Sequence, residues 1–157
     1  MSRRKIKLYR TTDKDYKFSS ILVSKLINYV MLDGKKSVSC KIIYKSIENL
    51  SKKTGLNQTR IFRELINNIR PSVEIKSKKI GGGIYQIPIK VKINKSISLA
   101  LKWIVKAARE RKDVTNMKNK LYLEFLDSYL KKGGAFKKKE EVYKIAEANK
   151  AFSHYSW

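Results

Sequence analysis

The stretch Val73-Glu74-Ile75-Lys76-Ser77-Lys78-Lys79-Ile80-Gly81-Gly82-Gly83-Ile84-Tyr85-Gln86-Ile87-Pro88-Ile89-Lys90-Val91 decides how the chain is built. In its first half Val73 and Ile75 point one way while Glu74, Lys76 and Lys78 point the other. In its second half Tyr85, Ile87, Ile89 and Val91 alternate with Gln86, Pro88, Lys90 and Lys92. A period of two is that of a strand, whose successive side chains face opposite sides. Two such runs joined by glycines predict a β-hairpin over 72–92 with a glycine tip. Pro88 lacks a ladder donor and is tolerated on an edge strand. Each arm of about seven residues reaches roughly 23 Å at about 3.3 Å per residue. A lone two-stranded ribbon is marginal in water, so something else must hold this one.

Outward from the hairpin the period lengthens to nearly four. Upstream, Leu22, Leu26 and Val30 recur in a helix that Ser19 or Ser20 can cap and Asp33-Gly34 ends. A second helix over about 37–54 carries Ile43, Ile47 and Leu50 and stops at Gly55. A third over about 58–69 repeats Ile61, Leu65 and Ile69, and Pro71 closes it. Downstream, a helix over about 96–111 has one row of Leu99, Trp103 and Ala107 beside another of Ala100, Ile104 and Ala108. The next, over about 115–130, has an apolar stripe of Tyr122, Leu126, Tyr129 and Leu130, and Gly133-Gly134 breaks the chain after it. A last helix over about 137–150 presents Val142, Ile145 and Ala146. The expected architecture is mainly α, a six-helix domain with one protruding β-hairpin between the third and fourth helices. Residues 1–17 are expected to form a basic arm, 18–151 a single helical domain, and 152–157 a C-terminal tail.

The 157 residues include 37 Lys and Arg against 13 Asp and Glu, a net charge of +24. Hydrophobic residues make up 42%, enough for a packed core, which excludes a disordered polycation. Solvated surfaces usually mix both signs and hold net charge to about 2–8. Single basic pairs are explained as solvated helix ends, but the set is not, and neutralising the phosphates of a polyanion is its simplest purpose. No apolar run approaches the roughly 20 residues that span a bilayer. Cys40 and His154 are the only residues of their kinds, so no internal disulfide and no metal centre are expected. No carboxylate pair or nucleophile arrangement stands out, and no enzyme chemistry or cofactor is expected.

The hairpin has two readings. One is an edge ribbon guarded by lysines against aggregation. The other is a probe whose glycine tip lets a backbone approach a nucleic acid closely, with Lys76, Lys78, Lys79, Lys90 and Lys92 beside it. The tip lacks the Lys-Ser/Thr and following helix of a phosphate loop. Tyr85, Tyr155 and Trp157 are candidates for stacking on bases, whereas Trp103 reads as core.

Several segments resemble one family. They are Asp33-Gly34-Lys35-Lys36-Ser37, then Arg70-Pro71-Ser72-Val73-Glu74-Ile75-Lys76-Ser77-Lys78-Lys79-Ile80-Gly81-Gly82 with Tyr85-Gln86-Ile87-Pro88. Leu99-Ala100-Leu101-Lys102-Trp103-Ile104-Val105-Lys106-Ala107-Ala108-Arg109 and Ala146-Glu147-Ala148-Asn149-Lys150-Ala151-Phe152-Ser153-His154-Tyr155 complete the set. In order and spacing, from Ser2 to Trp157, they resemble small-subunit ribosomal protein seven. The resemblance implies a structural, non-enzymatic constituent of the small subunit. Its implied partners are the 3′ major domain of small-subunit rRNA, exit-site tRNA and mRNA, and neighbouring head and platform proteins, with no membrane. Carried over, the implied rRNA-binding residues are Arg3, Arg4, Lys5, Lys35, Lys36, Lys76, Lys78, Lys79, Lys95, Lys102, Arg109 and Arg111. Gly81, Gly82 and Tyr85 would lie near tRNA and mRNA. The chain departs from the family at Gly83-Ile84, at Ser156 and over 113–120.

A regulatory RNA-binding protein, including one that controls its own messenger, is the competing expectation. The 29 Lys, 18 Ile and 9 Asn favour AT-rich codons and hence an organelle or reduced genome. A resemblance that starts at Ser2 leaves no room for a cleaved presequence. The expected location is the mitochondrial ribosome in the matrix, with a plastid or a bacterial cytoplasm as alternatives.

Overall fold

Local signals start and stop most of the helices. The computed structural model describes residues 12–155. Helix α1 is Ile21–Val30, α2 Lys36–Thr54 and α3 Gln58–Ile69. Asn57 caps α3 by accepting the Thr59 N–H at 3.0 Å, and Gly55, at φ 70°, ends α2 in the left-handed conformation that glycine takes without strain. The hairpin follows as β1 Val73–Ile80 and β2 Gly83–Lys90, then α4 Ile93–Glu110, α5 Met117–Tyr129, α6 Gly134–Ala148 and a 3-10 turn, Lys150–Tyr155. The expected plan of six helices with a hairpin between the third and fourth is the observed one.

Five details differ from the sequence reading. Ser20 sits at the start of α1, but its hydroxyl makes no capping bond; only its carbonyl serves, accepting the Ser24 N–H at 3.2 Å. Helix α4 starts at Ile93 instead of near Ser96, and the Ser96 hydroxyl, now inside it, donates to the Pro71 carbonyl at 2.6 Å. On α5 the buried face is Leu121, Glu124, Phe125 and Ser128, while Leu130 is exposed. Tyr122, Leu126 and Tyr129 only flank the core. Helix α6 begins at Gly134, before the expected Lys137, because the Glu124 carboxylate of α5 accepts the Ala135 N–H at 2.9 Å and so caps it from a neighbouring helix. A Cβ on Gly133 would stand 2.7 Å from that carboxylate, so the glycine is there for close approach. Trp103, read as core, is half-buried at its edge, because the row that faces inward on α4 is Ala100, Ile104 and Ala108.

The core sits among the helices. Leu26 and Ile27 of α1, Ile43 and Ile47 of α2, Phe62 and Leu65 of α3, Leu101 and Ile104 of α4, and Leu121 and Phe125 of α5 are all 0–1% exposed. Phe62 and Phe125 meet edge to face with centroids 5.9 Å apart. Among the described residues, no helix is long and apolar enough to cross a membrane.

The hairpin is antiparallel, with Ile80 paired to Gly83 across a two-residue turn. Gly81 and Gly82 have φ of 55° and 88°, the positive pair that a tight hairpin turn requires and that side chains disfavour. The register sets Lys78 opposite Tyr85, Lys76 opposite Ile87 and Glu74 opposite Ile89. Paired residues share a face, so the apolar set of β2 lies on the charged face of β1. Ile87 on that face is completely buried.

Candidate nucleic-acid interface

Helix α4 organises the basic surface. Lys95, Lys102 and Arg109 recur at intervals of seven residues, which returns a helix to nearly the same face every two turns. Fourteen residues at about 1.5 Å each make a stripe roughly 21 Å long. All three are exposed. At one end, the Arg109 guanidinium donates to the Val30 carbonyl at 3.4 Å, and the Lys102 ammonium lies 6.0 Å from the Tyr29 ring, so the stripe abuts the end of α1. Lys35 and Lys36, both exposed, stand on the turn that leaves α1 and opens α2.

At the other end the stripe runs into the hairpin. The Glu74 carboxylate, whose side chain is only 15% exposed, accepts the Lys95 ammonium and lies 3.8 Å from that of Lys76. One acid thus gathers a lysine from β1 and a lysine from α4. Lys76 and Lys79 are exposed along the ribbon. Lys78 is directed elsewhere, donating to the Tyr155 carbonyl at 3.0 Å. Gly81 and Gly82 lie exposed, with nothing within 4 Å of where a side chain would begin. Tyr85 is 36% exposed, its ring against Phe152 and Tyr155.

Arg111 lies apart from these groups, immediately beyond α4. Its guanidinium binds Glu124 at 3.0 Å, Asp127, and Asp113 at 3.4 Å. Burial works to lower its pKa, but Asp127 and Glu124 outweigh that and hold it above the ordinary arginine value. Its donors serve the joint between α4, α5 and α6. Arg3, Arg4 and Lys5 lie outside the described residues.

Sequence reading missed the acidic organisers. Asp15 is buried; it accepts the Lys17 and Phe18 N–H groups at 3.1 Å and the Tyr44 hydroxyl at 2.7 Å, fixing the segment before α1 onto α2. Burial, and then the Asp15 carboxylate, raise the pKa of the Tyr44 phenol. The hairpin base is pinned by Tyr143 of α6, whose hydroxyl accepts the Ser72 N–H at 3.0 Å and shares a 2.7 Å hydrogen bond with the Ser72 hydroxyl. Burial works upward on this phenol, but its Ser72 bonds and the Lys139 ammonium carry it below the ordinary tyrosine value. In the sequence, a lone Asp or Tyr between lysines gives no signal of such roles.

A cleft of about 710 Å³ opens between α4, α5 and α6. Glu110, Asp113, Glu124, Asp127 and Glu141 line it, five of the chain's 13 acids. They are matched there by Lys106, Arg111 and Lys138. No group of three potential metal ligands exists among the described residues.

The model of a family described as ribosomal protein S7p/S5e matches residues 2–150. Proteins named small ribosomal subunit protein uS7 are similar along nearly the whole chain. That of Pelagibacter ubique is 46% identical over 157 residues, covering all of both chains. That of Thermodesulfovibrio yellowstonii is 48% identical over 143 residues, 91% of each. That of Rhodospirillum rubrum is 43% identical over 157 residues, again covering both completely.

Proposed function

The chain belongs to the ribosomal protein S7p/S5e family, structural proteins of the small ribosomal subunit and not enzymes, and from that premise we propose that it binds the 3′ major domain of small-subunit rRNA and helps assemble the subunit head. The observation that carries the reading is the exposed stripe Lys95, Lys102 and Arg109, with Lys35 and Lys36 at one end and, through Glu74, Lys76 at the other, while Lys79 is exposed farther out on the ribbon. Such a stripe suits an RNA backbone, which is recognised through phosphates and shape. Arg3, Arg4 and Lys5 would add phosphate contacts of their own. Lys78 and Arg111 act through the protein's own joints. The Gly81-Gly82 turn, which no side chain crowds, would approach exit-site tRNA and mRNA, with head and platform proteins as neighbours. The lysine- and isoleucine-rich composition supports a mitochondrial or other organelle ribosome and a reduced bacterial genome equally, and the bacterial relatives support a bacterial cytoplasm.

Salt titration of binding to a 3′ major domain fragment tests the interface. Lys102→Ala and Lys76→Ala should each reduce the magnitude of the salt slope by roughly 0.7–0.9, one phosphate contact apiece. Slopes equal to the parent's in both variants would refute the stripe. Sedimentation of cell and organelle fractions in high salt tests the rest. Retention on the small subunit is expected, and the fraction in which it occurs names the compartment. Release of the protein from intact ribosomes would favour a dissociable regulator.

A further inference from the structure

Two strands joined by a tight turn do not hold themselves rigid in water. This ribbon is anchored at its base, where Tyr143 of α6 grips Ser72. The chain that continues from α6 then returns to the ribbon farther out. Residues Lys150–Tyr155 form a 3-10 turn against β2. The Tyr85 ring stands 5.1 Å from the Phe152 ring and 6.4 Å from that of Tyr155, centroid to centroid. Lys78, directly opposite Tyr85 in the register and therefore on the same face, donates to the Tyr155 carbonyl at 3.0 Å. Ile87, two residues along on that face, is fully buried. Both strands thus touch the turn, one through an aromatic ring and the other through an ammonium.

The position of this second grip matters. It falls on the Lys78–Tyr85 rung, five rungs from the Val73–Lys90 base, or roughly 17 Å along the ribbon. Only the Lys79–Ile84 and Ile80–Gly83 rungs and the glycine turn project beyond it. A ribbon held at one end swings about that end. A ribbon held at its base and again near its tip has a fixed direction. We infer that the C-terminal 3-10 turn is a strut that aims the hairpin, and that Tyr85 is a positioning residue at its head, serving this joint and not a stacked base. The inference concerns the free protein and does not depend on which RNA is bound.

Amide hydrogen exchange on the full-length chain tests it, with Phe152→Ala, Tyr85→Ala, the double variant and Tyr85→Phe. An aromatic pair of this kind corresponds to between about twofold and tenfold in the opening equilibrium. The ladder amides of β1 and β2 should exchange faster by at least that factor in either alanine variant, and no faster in the double one than in Tyr85→Ala, because that variant already removes the ring that Phe152 meets. Tyr85→Phe should exchange like the parent, since the ring makes the contact. Helical melting should be the same in all four. Parental exchange of the ribbon in Phe152→Ala, or additive effects of the two alanines, would overturn the inference. So would a drop in helical melting in Phe152→Ala, which would make the residue part of the core.

Discussion

The helical body and the ribbon are held together by different means. In the body, aliphatic and aromatic side chains from α1 to α5 are withdrawn from water almost completely, and each supports several others. In the ribbon only Ile87 is fully buried, and the rest of the attachment consists of separate joints: Ser72 on Tyr143, Glu74 on Lys95, Tyr85 and Lys78 on the C-terminal turn. Damage to a packed core is felt throughout, whereas a joint fails where it stands. A rigid body that presents a directed probe needs both kinds of construction.

The sharpest test of this contrast is the largest effect. Phe125→Ala, deep in the body against Phe62, should lower stability by roughly 3–5 kcal/mol in urea unfolding followed by helical circular dichroism. A loss under 1 kcal/mol, on the order of a single hydrogen bond, would mean that the body is as loosely joined as the ribbon. A smaller effect is expected at the hairpin base. Tyr143→Phe removes a hydroxyl that serves Ser72, worth about 1 kcal/mol, and should speed amide exchange in the ribbon while the helices melt as before. A fall in helical melting comparable to that of Phe125→Ala would erase the distinction between the two regions. The smallest effect is spectroscopic. In absorbance titration of the tyrosines, Tyr44 should ionise late and Tyr143 early, and Tyr44→Phe should remove the late step. A phenol whose folded pKa is raised favours the protonated form in the folded state. The stability from Tyr44 is therefore present below the ordinary tyrosine pKa of about 10 and is lost as alkali carries the pH through the higher folded value. If Tyr44→Phe took its amplitude from the ordinary step near pH 10 and not from the late one, Tyr44 would be detached from Asp15.

How far the sequence foretold this depends on what was local. The strands were legible because alternation and glycines act over a few residues, and α3 matched its expected bounds because Asn57, Gln58 and Pro71 mark its ends. The buried face of α5 was not legible, because Glu124 and Ser128 occupy inward positions that a hydrophobic pattern assigns to solvent. Glu124 is there to meet Arg111 and the Ala135 N–H, partners 13 and 11 residues away. The same holds for the interface. Basic residues were visible as a set, but which of them face outward was decided largely by partners distant in the chain. Arg111 looked like Arg109 in the sequence, yet three carboxylates draw it inward. Lys78 looked like Lys79 until the chain end returned to meet it.

The gathering of five acids into one cleft, in a chain with so few, has a kinetic consequence. A uniformly positive sphere feels only a pull toward a polyanion and arrives at any angle. This body gathers five of its 13 acids between α4, α5 and α6, where Lys106, Arg111 and Lys138 partly offset them, beside a long basic row down the exposed face of α4, so its charge is unevenly spread as well as large. In the field of a nucleic acid it experiences a torque that begins about one Debye length out, roughly 8 Å at physiological salt. The lysine row, and not the acid-lined cleft that borders it across Lys106 and Glu110, is the side drawn toward the strand. Fewer encounters are wasted on the wrong face, and added salt should slow association more through lost orientation than the loss of any single contact would suggest.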